Sequence, residues 1–227
     1  PYTYHDTLFA FDAKTTMYAK PDTNSKVQMT CIAGDTLVVM DSLSFPKDKI
    51  QAFYRMKNGK QIGYVKAGDI AIYKFNLKHN ASQSTILISG FDTSENSLLH
   101  MNEFSENNLM ATFSYPYYHQ PFSIAMHGNR GLSGLNKIFQ ILHFAESCGE
   151  DGGSTYIGWS PENFIEILHA SSSADGGMYS SSSYLLFPED SGGVPGKIIY
   201  KREVYEILNE ELGWDRTSTE TRNYDWT

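Results

Sequence analysis

The residues best suited to covalent or metal chemistry in this chain are two cysteines and seven histidines. Cys148 lies in the run SCGEDGG. A thiol attacks only as the thiolate, so a nucleophilic cysteine needs a base within hydrogen-bond reach and a lowered pKa. Around Cys148 stand Glu146, Glu150 and Asp151, and carboxylates push a thiol pKa up. The expectation is therefore a structural cysteine. Cys31 and Cys148 are either two separate buried thiols or, in an oxidising compartment, a bridged pair. The histidines are His5, His79, His100, His119, His127, His143 and His169. None belongs to a His-Glu-x-x-His run or a comparable zinc set, so no metal and no cofactor are expected. His143 and His169 fall inside apolar runs, where a hydrogen-bonded core histidine is the ordinary reading.

Carboxylates on glycine turns suit a hard cation such as calcium. Three stretches have that composition: residues 149–153 (GEDGG), 175–177 (DGG) and 189–193 (EDSGG). None has the alternating Asp-x-Asp-x-Asp-Gly spacing of a calcium loop, and solvated turns are expected. Residues 128–134 (GNRGLSG) lack the Gly-Lys-Ser/Thr step of a phosphate loop and are expected to be a mobile turn.

Aromatic side chains are the remaining chemical signal. The chain has 15 Tyr and 13 Phe, and aromatics make up 14% of it. Such rings serve strands and binding faces. In the first third they are Tyr18, Phe53, Tyr54, Tyr64 and Tyr73. A shallow groove built from Tyr18, Tyr54, Tyr64 and Tyr73 is the expected ligand-binding site. A small barrel also needs some of these rings to fill its core.

The elements that must hold these rings are short strands. TTMYAK leads into the turn cluster PDTNSK; VQMTCI alternates; TLVVMDSL is a nearly continuous apolar run. QAFYRMK and QIGYV flank Asn58-Gly59, which predicts a two-residue type I′ hairpin with positive φ at both positions. KAGDI is a tight turn and AIYKF a last strand. Residues 76–83 (NLKHNASQ) are polar and predict a linker; Asn80 opens a formal glycosylation sequon. Beyond it, TILISGF, NLMATFSY, FSIAMHG, KIFQILHFAE, STYIGW, NFIEILHA and SYLLFPED predict strands, with Ser160-Pro161-Glu162 turning one hairpin. GKIIYKREVYEILNEELGW carries Val204, Ile207, Leu208 and Leu212 at helical spacing and predicts a C-terminal helix. The fold expected is mainly β, with domains at 1–78 and 84–227.

Charge is uneven. Residues 1–78 hold 11 Lys/Arg against 7 Asp/Glu, and residues 79–227 hold 7 against 19. So acidic a second half repels nucleic acid and anionic membrane surfaces. No run of apolar residues is long enough to span a bilayer as a helix.

The order MYAKPDTNSKV, AGDTLVVM, AFYRMKNGKQIGYVKAGDI resembles the bacterial SH3-type domain over residues 15–75. The matching positions are Pro21, Gly34, Phe53, Tyr54, Gly59, Gly63, Tyr64 and Val65; the family often has Trp where Phe53 and Tyr64 stand, and Arg where Lys20 stands. The resemblance implies a small SH3-like barrel followed by a larger antiparallel β-rich domain. It also implies a non-enzymatic, exported cell-envelope protein, periplasmic or extracellular. Its barrel would recognise a peptide or a wall polymer such as peptidoglycan, or dock on its own second domain. Cell-wall peptidases with a Cys-His pair often follow such domains. The alternative is thus a cell-wall peptide hydrolase with Cys148 as nucleophile, although the Asp-Cys-Ser-Gly run of those enzymes is missing. The second half vaguely resembles β-rich modules of envelope proteins, a likeness that carries no activity.

Overall fold

The protein is described from a computed structural model, which places residues 5–41, 52–79, 82–89, 98–116, 122–144 and 152–227. Cys148, Asn80 and most of the 149–153 loop lie outside the described residues. The chain forms two compact units, Pro1–His119 and Gln120–Thr227. Eighteen strands in three antiparallel sheets account for nearly all regular structure among the described residues.

The first unit opens with β1 (Thr7–Ala10), β2 (Lys14–Tyr18), β3 (Val27–Ile32), β4 (Thr36–Val39), β5 (Phe53–Asn58), β6 (Gln61–Lys66) and β7 (Ile70–Ala71). They form one sheet in the order β3-β2-β6-β5-β4-β1-β7. Alternation selects its core face: Leu8, Ala10, Met17, Cys31, Leu37, Val39, Tyr54, Met56, Val65 and Ile70 pack together. Each large apolar side chain buried there stabilises by roughly 1.5–3 kcal/mol. Burial and the nearby Asp35 push the Cys31 thiol up, so it is an inert packing residue.

Two expectations change here. The sheet does not close into a barrel: β3 pairs only with β2 and β7 only with β1, so the two ends stay unjoined. Closure requires the first and last strands to pair, and here β1 and β7, which the sequence pattern did not single out, extend one edge instead. The hairpin is also not type I′. Asn58 ends β5 opposite Gln61, so Gly59 and Lys60 are the turn residues. Only Gly59 has positive φ, at 55°. Glycine alone in the first central position is the signature of a type II′ turn.

The same unit holds β8 (Tyr73–His79), β9 (Ser82–Ser89), β10 (Leu98–Ser105) and β11 (Asn108–Pro116), in the order β11-β10-β9-β8. The segment expected as a linker is therefore the β8–β9 hairpin. One face of this second sheet meets the first sheet. Leu87 and Phe104 pack on Phe11 and Ala71, with Phe9 and Ala33 beside them. Ile72 N–H donates to the Ile88 carbonyl at 2.8 Å, and Lys74 Nζ donates to the Gly34 carbonyl at 2.8 Å.

The second unit is a meander of β12 (Phe122–His127), β13 (Lys137–His143), β14 (Gly152–Ser160), β15 (Asn163–Asp175), β16 (Tyr179–Leu186), β17 (Lys197–Asn209) and β18 (Trp214–Asp225), paired in chain order. Its core gathers Leu132, Ile138, Tyr156, Ala170, Leu185, Phe187 and Ile198. The strand expected at KIFQILHFAE and the turn at Pro161-Glu162 are both present. The expected C-terminal helix is absent; that segment is the β17–β18 hairpin. Its β-branched and aromatic residues (Ile198, Ile199, Tyr200, Val204, Tyr205, Ile207) favour a strand, and pairing on both sides overrides the helical spacing. The return is fixed by Asn209 Oδ1, which accepts the Leu212 N–H at 2.9 Å, and by Gly213 at φ 64°. No described helix is long and apolar enough to cross a membrane.

Candidate functional site

The expected aromatic residues separate into three environments. Tyr54 has no exposed surface and belongs to the core of the first sheet, so it offers nothing to a ligand. Tyr73 stands on the second sheet, stacked on Phe75 with centroids 6.3 Å apart. Its neighbour Lys74 reaches across to the first sheet, so Tyr73 faces away from that contact. Tyr18 and Tyr64 are a directly opposed pair on β2 and β6, both half-buried. They lie on the outer face, because the alternate residues Met17, Gly63 and Val65 point into the core. The Tyr18 ring meets Phe53 edge-on at 6.1 Å. Arg55 lies opposite Tyr64, and Lys66 lies opposite Phe53. One outer face thus carries Tyr18, Phe53, Arg55, Tyr64 and Lys66: flat rings flanked by cations.

Lys66 links this face to a group of polar residues that the sequence pattern did not reveal. The Phe11 N–H donates to the Asp69 carbonyl at 3.0 Å, continuing the β1–β7 register. Asp69 therefore shares a face with Phe11 and Ala71, the face that meets the second sheet. On the second sheet, Ser89 and Ser114 flank His100 in register, on the same face as Leu87. His100 Nδ1 lies 2.9 Å from Ser114 Oγ. Burial pushes the Asp69 carboxyl up to about 6, with Lys66 opposing and Asp12 reinforcing the shift. The Asp12 carboxyl is also raised by its surroundings, with Lys66 and His100 pulling it back. These couplings place Asp12, Lys66, Asp69 and His100 around one region without closing an ion pair among them. Ser89 is 1% exposed and its hydroxyl has no hydrogen-bond partner. Unpaired ionisable groups beside an unsatisfied buried hydroxyl mark a site built for something else. Only the turn at KAGDI hinted at it.

The second unit gives its polar residues ordinary work. His143 Nε2 and His169 Nδ1 both meet Thr155 Oγ1, at 3.1 and 2.9 Å. Burial, reinforced by His169, pushes His143 down to about 4, so it is neutral at physiological pH. Asp190 of the 189–193 loop is bound by Arg130, through Nε at 3.1 Å and Nη2 at 2.5 Å. Residues 128–134, expected to be a mobile turn, are thus pinned to that loop, and Leu132 is buried in the core. Among the described residues no cluster of three or more metal-ligating side chains occurs. Cys148 falls outside the described residues, so no base is placed beside it.

Neither a protein-family model nor a curated protein sequence matches this chain.

Proposed function

We propose that the protein is a non-enzymatic binding protein exported to the cell envelope, whose first unit recognises an extended peptide or a cell-wall polymer. The observation that carries this reading is the Tyr18–Tyr64 pair. Two rings stand side by side on an outer face, edge-on to Phe53 and between Arg55 and Lys66. Rings presented in this way stack on peptide bonds and on the apolar faces of sugars, while the flanking cations fix polar groups. The resemblance of residues 15–75 to bacterial SH3-type domains supports the envelope setting.

The test is retention on insoluble peptidoglycan. The intact chain should sediment with it, and the double variant Tyr18→Ala, Tyr64→Ala should stay in solution while keeping its β-type circular dichroism. Equal sedimentation of the two proteins, or none by either, would remove the reading.

A further inference from the structure

We infer that the seam between the two sheets of the first unit, lined by Asp12, Asp69, Ser89 and His100, receives a side-chain ammonium group of a bound peptide. The inference rests on the peptide-recognition reading and names the chemistry of one subsite beside the tyrosine face.

The argument starts from what each group lacks. Ser89 is buried to 1% exposure with its hydroxyl unsatisfied. It lies opposite His100 in the β9–β10 register, on the face that meets the first sheet. A buried hydroxyl with no partner is destabilising, and an incoming N–H donor removes that defect. From the first sheet, Asp69 is held on the facing side by the Phe11–Asp69 backbone bond at 3.0 Å. Asp12 follows Phe11 directly and feels the charge of His100 on the second sheet. Neither carboxylate closes an ion pair with Lys66, and one lysine cannot neutralise two carboxylates. Both carboxyls are raised by burial, which is what an uncompensated, partly desolvated negative charge looks like. A cation entering the seam reverses that cost. Described residues offer no three-ligand metal set, whereas an ammonium needs only acceptors: two carboxylates and a hydroxyl. Lys66 lies on the tyrosine face and is coupled to both aspartates, so one extended peptide reaches rings and seam together.

The groups facing the seam set its pH response: Asp12, Lys66 and Asp69 from the first sheet, and His100 from the second. Protonation of Asp69 on acidification through pH 6 removes an acceptor charge, so affinity falls there.

The experiment is calorimetric titration of the full chain with the peptide amide Gly-Lys-Gly and with its Nε-acetyl-lysine form. The free ammonium form should bind at least about tenfold tighter, one cationic contact's worth. Asp69→Asn and Ser89→Ala should each weaken it severalfold, while Ser89→Ala keeps or raises the thermal midpoint. Equal affinity for the two peptides, or no binding of either, overturns the inference. Peptidoglycan retention that needs Tyr18 and Tyr64 but ignores Asp69→Asn also overturns it and leaves the broader reading standing. Ammonium-selective binding by a chain that peptidoglycan does not retain supports the seam and overturns the broader reading.

Discussion

A Cβ placed on Gly63 would lie 2.4 Å from Met17 Cγ and 2.7 Å from the Tyr18 carbonyl oxygen. The absence of a side chain at Gly63 lets β2 approach β6 closely enough for Tyr18 to stand against Tyr64. Gly63→Ala forces the strands apart at the buried Met17 and is expected to destabilise by about 1–3 kcal/mol, as overpacking does. Urea denaturation measures it. A midpoint equal to that of the unaltered chain would show that β2 yields without cost.

Tyr54 and Tyr64 should respond oppositely to truncation, although both are tyrosines on adjacent strands. Tyr54→Ala empties a fully buried site and should cost about 3–5 kcal/mol. Tyr64→Ala removes a half-exposed ring and should cost less than about 1.5 kcal/mol while reducing ligand retention. Thermal melts beside a retention assay separate the two; a larger stability loss at Tyr64 than at Tyr54 would reverse their roles.

Much of the fold was legible in the sequence because period-two alternation writes one-sided burial directly. VQMTCI, QAFYRMK, QIGYV and NFIEILHA all became strands close to where the pattern put them. Two features were not legible, for physical reasons. Val204, Ile207, Leu208 and Leu212 match a helical period by coincidence; what decides is pairing of Lys197–Asn209 with a strand on each side, a non-local property. Barrel closure likewise depends on which edges meet, and strand content does not encode that. The tyrosine face was half legible: composition nominated four rings, and only burial showed that Tyr54 is core and Tyr73 stands apart. The Asp12–Asp69–Ser89–His100 seam was invisible, since it joins residues from β1, β7, β9 and β10 that no local motif links.

Two groups should write opposite pH signatures. His143 is pushed down from 6.5 to about 4, mainly by burial. Between those values the unfolded chain binds a proton that the folded chain refuses, so this group withdraws stability as pH falls through 6.5 toward 4. Asp69 is pushed up from 3.8 to about 6. Across that window the folded chain keeps a proton that the unfolded chain has lost, so its contribution fades as pH rises. The change in melting temperature caused by His143→Gln should be more favourable at pH 4.5 than at 6.5, and that of Asp69→Asn more favourable at 6.5 than at 4.5. Parallel shifts at both pH values would contradict the assigned environments.

Arg130 holds Asp190 bidentately, its guanidinium lies 4.3 Å from the Phe187 ring centroid, and Asp190 also accepts the Phe187 N–H at 2.8 Å. Lysine reproduces the charge but neither the fork nor the stacking. Arg130→Lys should cost about 1.5–3 kcal/mol, the range for hydrogen bonds to charged groups. Hydrogen exchange at Phe187 and Leu132 should accelerate with it; unchanged protection there would mean that the loops hold together without the pair.

The most direct measurement is an NMR titration of the isotope-labelled chain with soluble peptidoglycan fragments, followed through backbone amides and aromatic rings. Shifts that saturate and concentrate on Tyr18, Arg55, Tyr64, Lys66 and Asp69, with Tyr54 and the second unit quiet, are the predicted result. An unperturbed spectrum at saturating fragment, or shifts confined to residues 120–227, would contradict a recognition face on the first unit.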